Sequence, residues 1–127
     1  DGPNFVLYRP FHLCSLETPI SIYKAVIKNE STLAPLSGQI CDTVTHAKKD
    51  MKAGELLEGI GSDKVYGSLT SHEEAINKNF LPIALITTGT KLKVDVKKDQ
   101  LITYDMVELE EEELITKLRL KQDNKNV

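Results

Sequence analysis

The fold class this sequence predicts is mostly β with short helices, arranged about an internal pseudo-two-fold, and three observations predict it. The first is a repeat: "KKDMKAGELL" at 48–57 returns as "KVDVKKDQLI" at 93–102. Lys48/Lys93, Asp50/Asp95, Lys52/Lys97 and Leu56/Leu101 are identical, and Met51/Val96, Glu55/Gln100 and Leu57/Ile102 are close substitutions. The second is a series of short apolar segments separated by turn residues from Gln39 onward. The third is that helical periodicity is confined to two ends and one brief central stretch.

In chain order, "NFVLYRPFHL" alternates and is rich in aromatic and β-branched types, which predicts an extended segment interrupted at Pro10. "LETPISIYKAVIKN" predicts a helix, with Thr18 as N-cap and Pro19 in the first helical position. Ile20, Ile22, Tyr23, Val26 and Ile27 then share an arc of about 160° opposite Ser21, Lys24 and Lys28. "STLAPLSGQI" is turn-rich and reads as a linker.

"ICDTVTHA" alternates as a half-buried strand, "DMKAG" as a turn and "ELLEG" as the next strand. "IGSDKVYGSLT" reads as an irregular connection. Ser71 with Glu74 forms a capping box for a small helix, supported by Glu74 and Lys78 four residues apart. "FLPIALI" predicts a buried strand with an edge or bulge at Pro82, "KLKVDV" alternates, and "QLITYDMVEL" closes the unit. The tail has acids first and bases last, predicting a surface-laid helix with a thin stripe of Leu114, Ile115 and Leu118.

The 127 residues, 40% apolar and 28% charged, suffice for one domain with its own core. A net charge of −3 and the lack of a basic stripe with interleaved aromatics disfavour nucleic acid or an anionic membrane as partner. Cys14 and Cys41 make neither a disulfide framework nor a zinc spacing, and are expected as reduced, partly buried thiols of a cytoplasmic protein. No apolar run is long enough to span a membrane. The chain starts at Asp1 without an initiating Met and reads as the middle or end of something longer.

The repeated aspartates Asp50 and Asp95 admit two readings, a turn residue accepting local backbone N–H bonds or a catalytic carboxylate pair. Recurrence inside a repeated turn favours the first. No dinucleotide fingerprint is present: Gly59 and Gly61 are correctly spaced, but Lys64 occupies the third glycine position and no long helix follows. A P-loop is absent as well, so this chain is expected to bind no cofactor by itself.

The stretch "HAKKDMKAGELLEGIG…LPIALITTGTKLKVDVKKDQLITYDMVEL" resembles the SAF domain, the β-clip or pretzel fold shared with type III antifreeze proteins and the C-terminal domain of sialic acid synthases. With "NFVLYRPFHLCSLETPISIYKAV" and "STLAPLSG" before it, the chain is similar to the C-terminal region of homoserine-dehydrogenase-like NAD(P)-dependent oxidoreductases. That group includes enzymes described as resembling 1-deoxy-D-xylulose 5-phosphate reductoisomerase. The resemblance implies residues 1–39 as part of the catalytic region, 40–109 as the SAF domain and 110–127 as a helical tail. It implies NAD or NADP in the full-length enzyme, bound by a preceding dinucleotide-binding domain against which the Ile20–Ile27 face would pack, and a homo-oligomer. The glycine-rich run of homoserine dehydrogenases before the Pro is missing, which argues against homoserine as substrate.

If the front segment borders the oxidoreductase cleft, Arg9 would hold a phosphate or carboxylate, and His12, with Glu17 nearby, would serve as an acid–base group. The alternative is structural: Arg9 paired with an acid and His12 hydrogen-bonded in place. No metal is expected, since His12 and Cys14 supply only two ligands and His46 and His72 need not join them. Ser15, Ser21 and Ser37 lack a nucleophile context. Tyr66 and Tyr104 are expected at the rim or core of the β domain. The rival function is a freestanding SAF module binding a sugar acid or sialic-acid-like carbohydrate, its carboxylate held by Lys48, Lys49 or Lys93. Ice binding is disfavoured by the many lysines and glutamates.

Overall fold

A computed structural model describes residues 8, 10–32, 34 and 38–123, which separate into two compact units divided between Gly38 and Gln39. In the first, helix α1 spans Cys14–Tyr23 and continues as one π-helical stretch, Lys24–Lys28. Asn29, at φ 53°, ends it in the left-handed conformation that asparagine tolerates. The expected start at Thr18 is wrong. Leu13 occupies the N-cap position and its carbonyl accepts from the Leu16 and Glu17 amides at 2.8 and 2.9 Å, leaving Pro19 inside the helix. Pro19 therefore removes an intrahelical bond instead of sitting where none is needed. Most of the expected opening strand lies outside the described residues, and Tyr8 and residues 10–13 form no strand.

The second unit is mixed α/β, not mostly β. Two small antiparallel sheets are described, one of β1 (Cys41–Ala47) with β2 (Val65–Ser71), the other of β3 (Lys91–Leu92) with β4 (Val107–Glu108). Helix α2 spans His72–Asn77 and α3 Leu114–Asp123. Strand β2 corrects the reading of 60–70 as irregular: Val65, Tyr66, Leu69 and Thr70 suit a pleated surface, and the glycine that looked like a breaker lies within it. A Cβ on Gly67 would come 2.6 Å from the Thr43 side chain, so glycine there permits close approach of β1. "FLPIALI" is likewise no strand. Phe80 and Pro82 make single bridges, to Thr103 and Val44, and Ile83–Leu85 turns as a 3-10 helix. Proline lacks the N–H that would extend the ladder. "ELLEG" is reduced to one bridge, Leu56 to Lys91, and the closing segment to short bridges, a 3-10 turn at Tyr104–Met106 and β4.

The repeat explains why so little regular sheet suffices. Asp50 accepts the Lys98 amide at 2.9 Å and pairs with the Lys97 ammonium at 2.8 Å. Asp95 accepts the Ala53 amide at 2.9 Å and pairs with Lys52 at 2.6 Å. The expectation of local bonding is thus corrected: each aspartate clamps the other copy's turn. Met51 and Val96 exchange both backbone hydrogen bonds at 3.0 Å, at the centre of this exchange. Gly54 and Asp99, equivalent in the repeat, both have positive φ, 92° and 64°. The Lys97 ammonium and the Lys98 amide hold Asp50 below the ordinary aspartate value, and Lys52 and the Ala53 amide do the same for Asp95.

Each copy also docks on the strand that precedes the other copy. Gly54 and Asp99 donate to Leu92 and Ala47 carbonyls at 2.8 Å, and Leu57 and Ile102 donate to Thr90 and Thr45 carbonyls at 2.9 Å. The main core collects Ala47, Met51, Leu57, Val65, Leu81, Leu85, Leu92, Val96, Ile102 and Val107 about this axis. Ser71 caps α2, its hydroxyl accepting from the Glu74 amide at 3.1 Å, and Glu74 pairs with Lys78 at 2.6 Å. Cys14 and Cys41 are both exposed, against the expectation of partial burial. Among the described residues no helix is long and apolar enough to cross a membrane.

Leu57 and Ile102, fully buried equivalents, test the symmetry. Leu57→Ala and Ile102→Ala should each cost about 2–5 kcal/mol in urea unfolding, by similar amounts. A loss confined to one copy would show that only one half carries the core.

Candidate functional site

The tail helix α3 owes its place to polar contacts. Its thin stripe is surface-laid as expected, Leu114, Ile115 and Leu118 all being exposed with Ile115 and Leu118 beside Pro82, Ala84 and Leu85, while the more deeply placed side chains are Thr116, Arg119 and Asp123. Asp42 on β1 is buried, its side chain 5% exposed, and the Arg119 guanidinium grips it with both terminal nitrogens at 2.6 and 2.9 Å. Alternation on β1 puts Asp42 on the inward side with Val44, so the carboxylate needs partners there. His72 Nδ1 donates to it at 2.6 Å and Gln39 Nε2 at 2.6 Å, while Arg119 Nε reaches Asp123 at 2.8 Å. Burial pushes the Asp42 carboxyl up, but its bonds to Arg119 and His72 outweigh this and hold it below the ordinary 3.8.

Beneath α3 are two cavities that share Tyr104 and Leu120 as a common wall. One, of about 340 Å³, is lined by Ala75, Ile76, Asn79 and Asp123 as well. The other, of about 200 Å³, has Lys93, Val107, Leu109, Glu111 and Thr116 in its walls. Burial pushes the Tyr104 hydroxyl up to about 12, with the Asp123 charge adding to it, so the phenol stays protonated. Sequence reasoning placed Tyr104 only generally and missed the part played by Asp42, Arg119 and Asp123. Alternation marks Asp42 as an inward carboxylate, but nothing in the sequence pairs it with a residue 77 positions away.

A second polar cluster crosses the two sheet strands. His46 Nε2 lies 2.7 Å from Ser68 Oγ, its Nδ1 lies 3.1 Å from the Asp99 carbonyl, and its ring stacks on Tyr66 at 4.9 Å. A carbonyl only accepts, so Nδ1 is the donor to Asp99. Tyr66 Oη donates to the Asp99 carboxylate at 3.2 Å. This ties β1 and β2 to the second turn.

Of the predicted site residues, Arg9 lies outside the described residues, and His12 Nδ1 lies 3.7 Å from Glu17 Oε2 in the first unit. The three candidate lysines do not converge. Lys48 donates to the Ser62 carbonyl, Lys49 pairs with Asp63, and Lys93 lines the smaller cavity. Among the described residues, no three His, Cys, Asp or Glu side chains gather so as to hold a metal ion. No protein-family model matches the chain, and no curated protein matches it.

Arg119→Met leaves Asp42 buried without its main counter-charge, and should cost about 3–5 kcal/mol in thermal or urea unfolding. Asp42 also sets a pH dependence. Its folded value is lowered, so its contribution is present above 3.8 and is lost as pH falls through the folded value. Asp42→Asn should flatten that acid limb of a stability–pH profile while lowering stability at neutral pH; an unchanged acid limb would contradict the assignment.

Proposed function

We propose that this chain is the C-terminal, SAF-containing part of a cytoplasmic NAD(P)-dependent oxidoreductase resembling homoserine dehydrogenase. In this reading 40–109 is a β-clip module that supports packing and subunit contact, and the cofactor is bound by a dinucleotide-binding domain of the same parent chain. The two turns that clamp each other about Met51 and Val96 support the pretzel assignment by giving the unit an internal pseudo-two-fold.

The observation that carries the reading is the state of α1. No residue of that helix or its π extension is buried, and Ile20, Ile22, Tyr23, Val26 and Ile27 are each about half exposed or more. Wetting large apolar side chains forfeits roughly 1.5–3 kcal/mol apiece, so the stripe suits a docking face. His12 and Glu17, 3.7 Å apart at the start of the same helix, would then stand with Arg9 at the edge of the catalytic region of the full enzyme. The fragment alone is expected to be inactive.

The reading frame upstream of Asp1 tests the parentage directly: a βαβ unit with a glycine-rich turn is expected there, and a start codon close to Asp1 would overturn it. In solution the 127-residue chain should bind no NADH or NADPH and should self-associate through the stripe. Ile20→Glu with Ile27→Glu should return it to a monomer in sedimentation; tight cofactor binding by the unaltered chain would refute the division of labour.

A further inference from the structure

We propose that Ser68 and His46 form a nucleophile–base pair that cleaves small carboxylic esters through an acyl-serine. This activity is separate from the oxidoreduction proposed above, for which the fragment alone is expected to be inactive, and does not depend on that parentage. His46 Nε2 lies 2.7 Å from Ser68 Oγ, and Nδ1 is anchored at 3.1 Å on the Asp99 carbonyl. The Tyr66 ring, stacked at 4.9 Å and 14° from parallel, fixes the imidazole plane. A serine within reach of an imidazole whose far nitrogen is held by a third group is the arrangement that activates a hydroxyl. When the ring is neutral its proton is on Nδ1, so Nε2 is the atom that takes the Ser68 proton. Both residues are half-buried, so the pair is partly desolvated without being sealed.

The strand supplies donors for the charge that develops on the substrate. Beyond the two ends of the β1–β2 ladder, Lys48 donates to the Lys64 carbonyl at 2.7 Å and His72 to the Ile40 carbonyl at 2.9 Å. Even-numbered residues of β2 therefore turn their amides toward β1, and Gly67 and Leu69 turn theirs away from it. Among the described residues no strand lies on that outer side, and both residues are exposed. The amides on either side of Ser68 are thus open to an oxyanion, the one after the nucleophile being a frequent donor in acyl transfer. The repeat does not impose the cluster. It places Lys91 at the position of His46, opposite Glu108, so closure of the frame needs no histidine there.

In the reaction, Ser68 Oγ attacks the ester carbonyl carbon while its proton passes to Nε2. The bond to the leaving oxygen then breaks, that oxygen takes the proton from Nε2, and acyl-Ser68 remains. Water, deprotonated by the same nitrogen, displaces Ser68 and releases the carboxylic acid. Two strand amides and one imidazole suit an ester, whose alkoxide leaves more readily than the amine of a peptide.

The test is incubation of the full 127-residue chain with p-nitrophenyl acetate, with nitrophenolate followed by absorbance and the acylated residue located by peptide mass spectrometry. A burst of about one equivalent is expected, with the acetyl group on Ser68. It should be slower in deuterium oxide, because a proton moves during the attack. A fluorophosphonate should mark Ser68 in preference to Ser62 and Ser71. Ser68→Ala should abolish the burst, and His46→Gln should slow it by about 100-fold to 10,000-fold. Acetyl or phosphonyl groups only on other residues, an equal rate in deuterium oxide, or an unchanged burst in either variant would each overturn the proposal. The labelled residue and the solvent effect are read on the unaltered chain, so they decide the matter even where a variant fails to fold.

Discussion

The second unit depends on an exchange: each repeated turn is closed by an aspartate from the other. Asp50 and Asp95 lie 45 positions apart, yet each satisfies an amide of the opposite turn and neutralises a lysine there. Neither half can complete its turn alone, and the Met51–Val96 pair at the centre fixes their register. This accounts for a body with only two short ladders. Continuity comes from single bridges, such as Leu56 to Lys91 and His46 to Leu101, arranged equivalently on the two sides. Sequence identity between the copies is therefore a geometric requirement: a turn that must receive its equivalent has little freedom to differ from it.

What was legible in the sequence follows from whether a signal was local. The repeat, the Ser71 cap and the alternation on β1 all act over a few residues, and each has its counterpart in the structure. Thr18-Pro19 is also a local signal, but a helix begun at Cys14 overrides it and tolerates the proline within. β2 was hidden because Gly67 reads as a breaker, whereas its lack of a side chain is what lets Thr43 approach from β1. The contraction of "FLPIALI" to bridges and a 3-10 turn arises from Pro82, whose missing N–H limits pairing more than the apolar run promotes it.

The face of α3 was not legible because apolar content chooses the buried side of a helix only when no stronger demand is present. Here the demand is Asp42. A carboxylate 5% exposed must be answered by a cation, and Arg119 lies three residues beyond Thr116 on the same side of the helix. Docking through Arg119 turns Thr116 inward and leaves Leu114, Ile115 and Leu118 on the surface. The cavity walls were invisible for the same reason: Tyr104 and Asp123 meet only after a charge pair 77 positions apart has formed.

The symmetry of the frame does not extend to the cleft. Both copies leave the repeat and return to pair with the strand before it, Val65 with Ala47 in the first and Val107 with Leu92 in the second. The first uses residues 58–64 for the return, a path with two positive-φ glycines at 59 and 61; the second uses 103–106, a single 3-10 turn bearing Tyr104. The shorter path is the one that carries an aromatic ring to the surface that α3 covers. A duplicated scaffold thus supplies rigidity twice and keeps one return loop for a different use. That division places Tyr104, beside Asp123 of α3, on the side where the repeat no longer constrains the sequence.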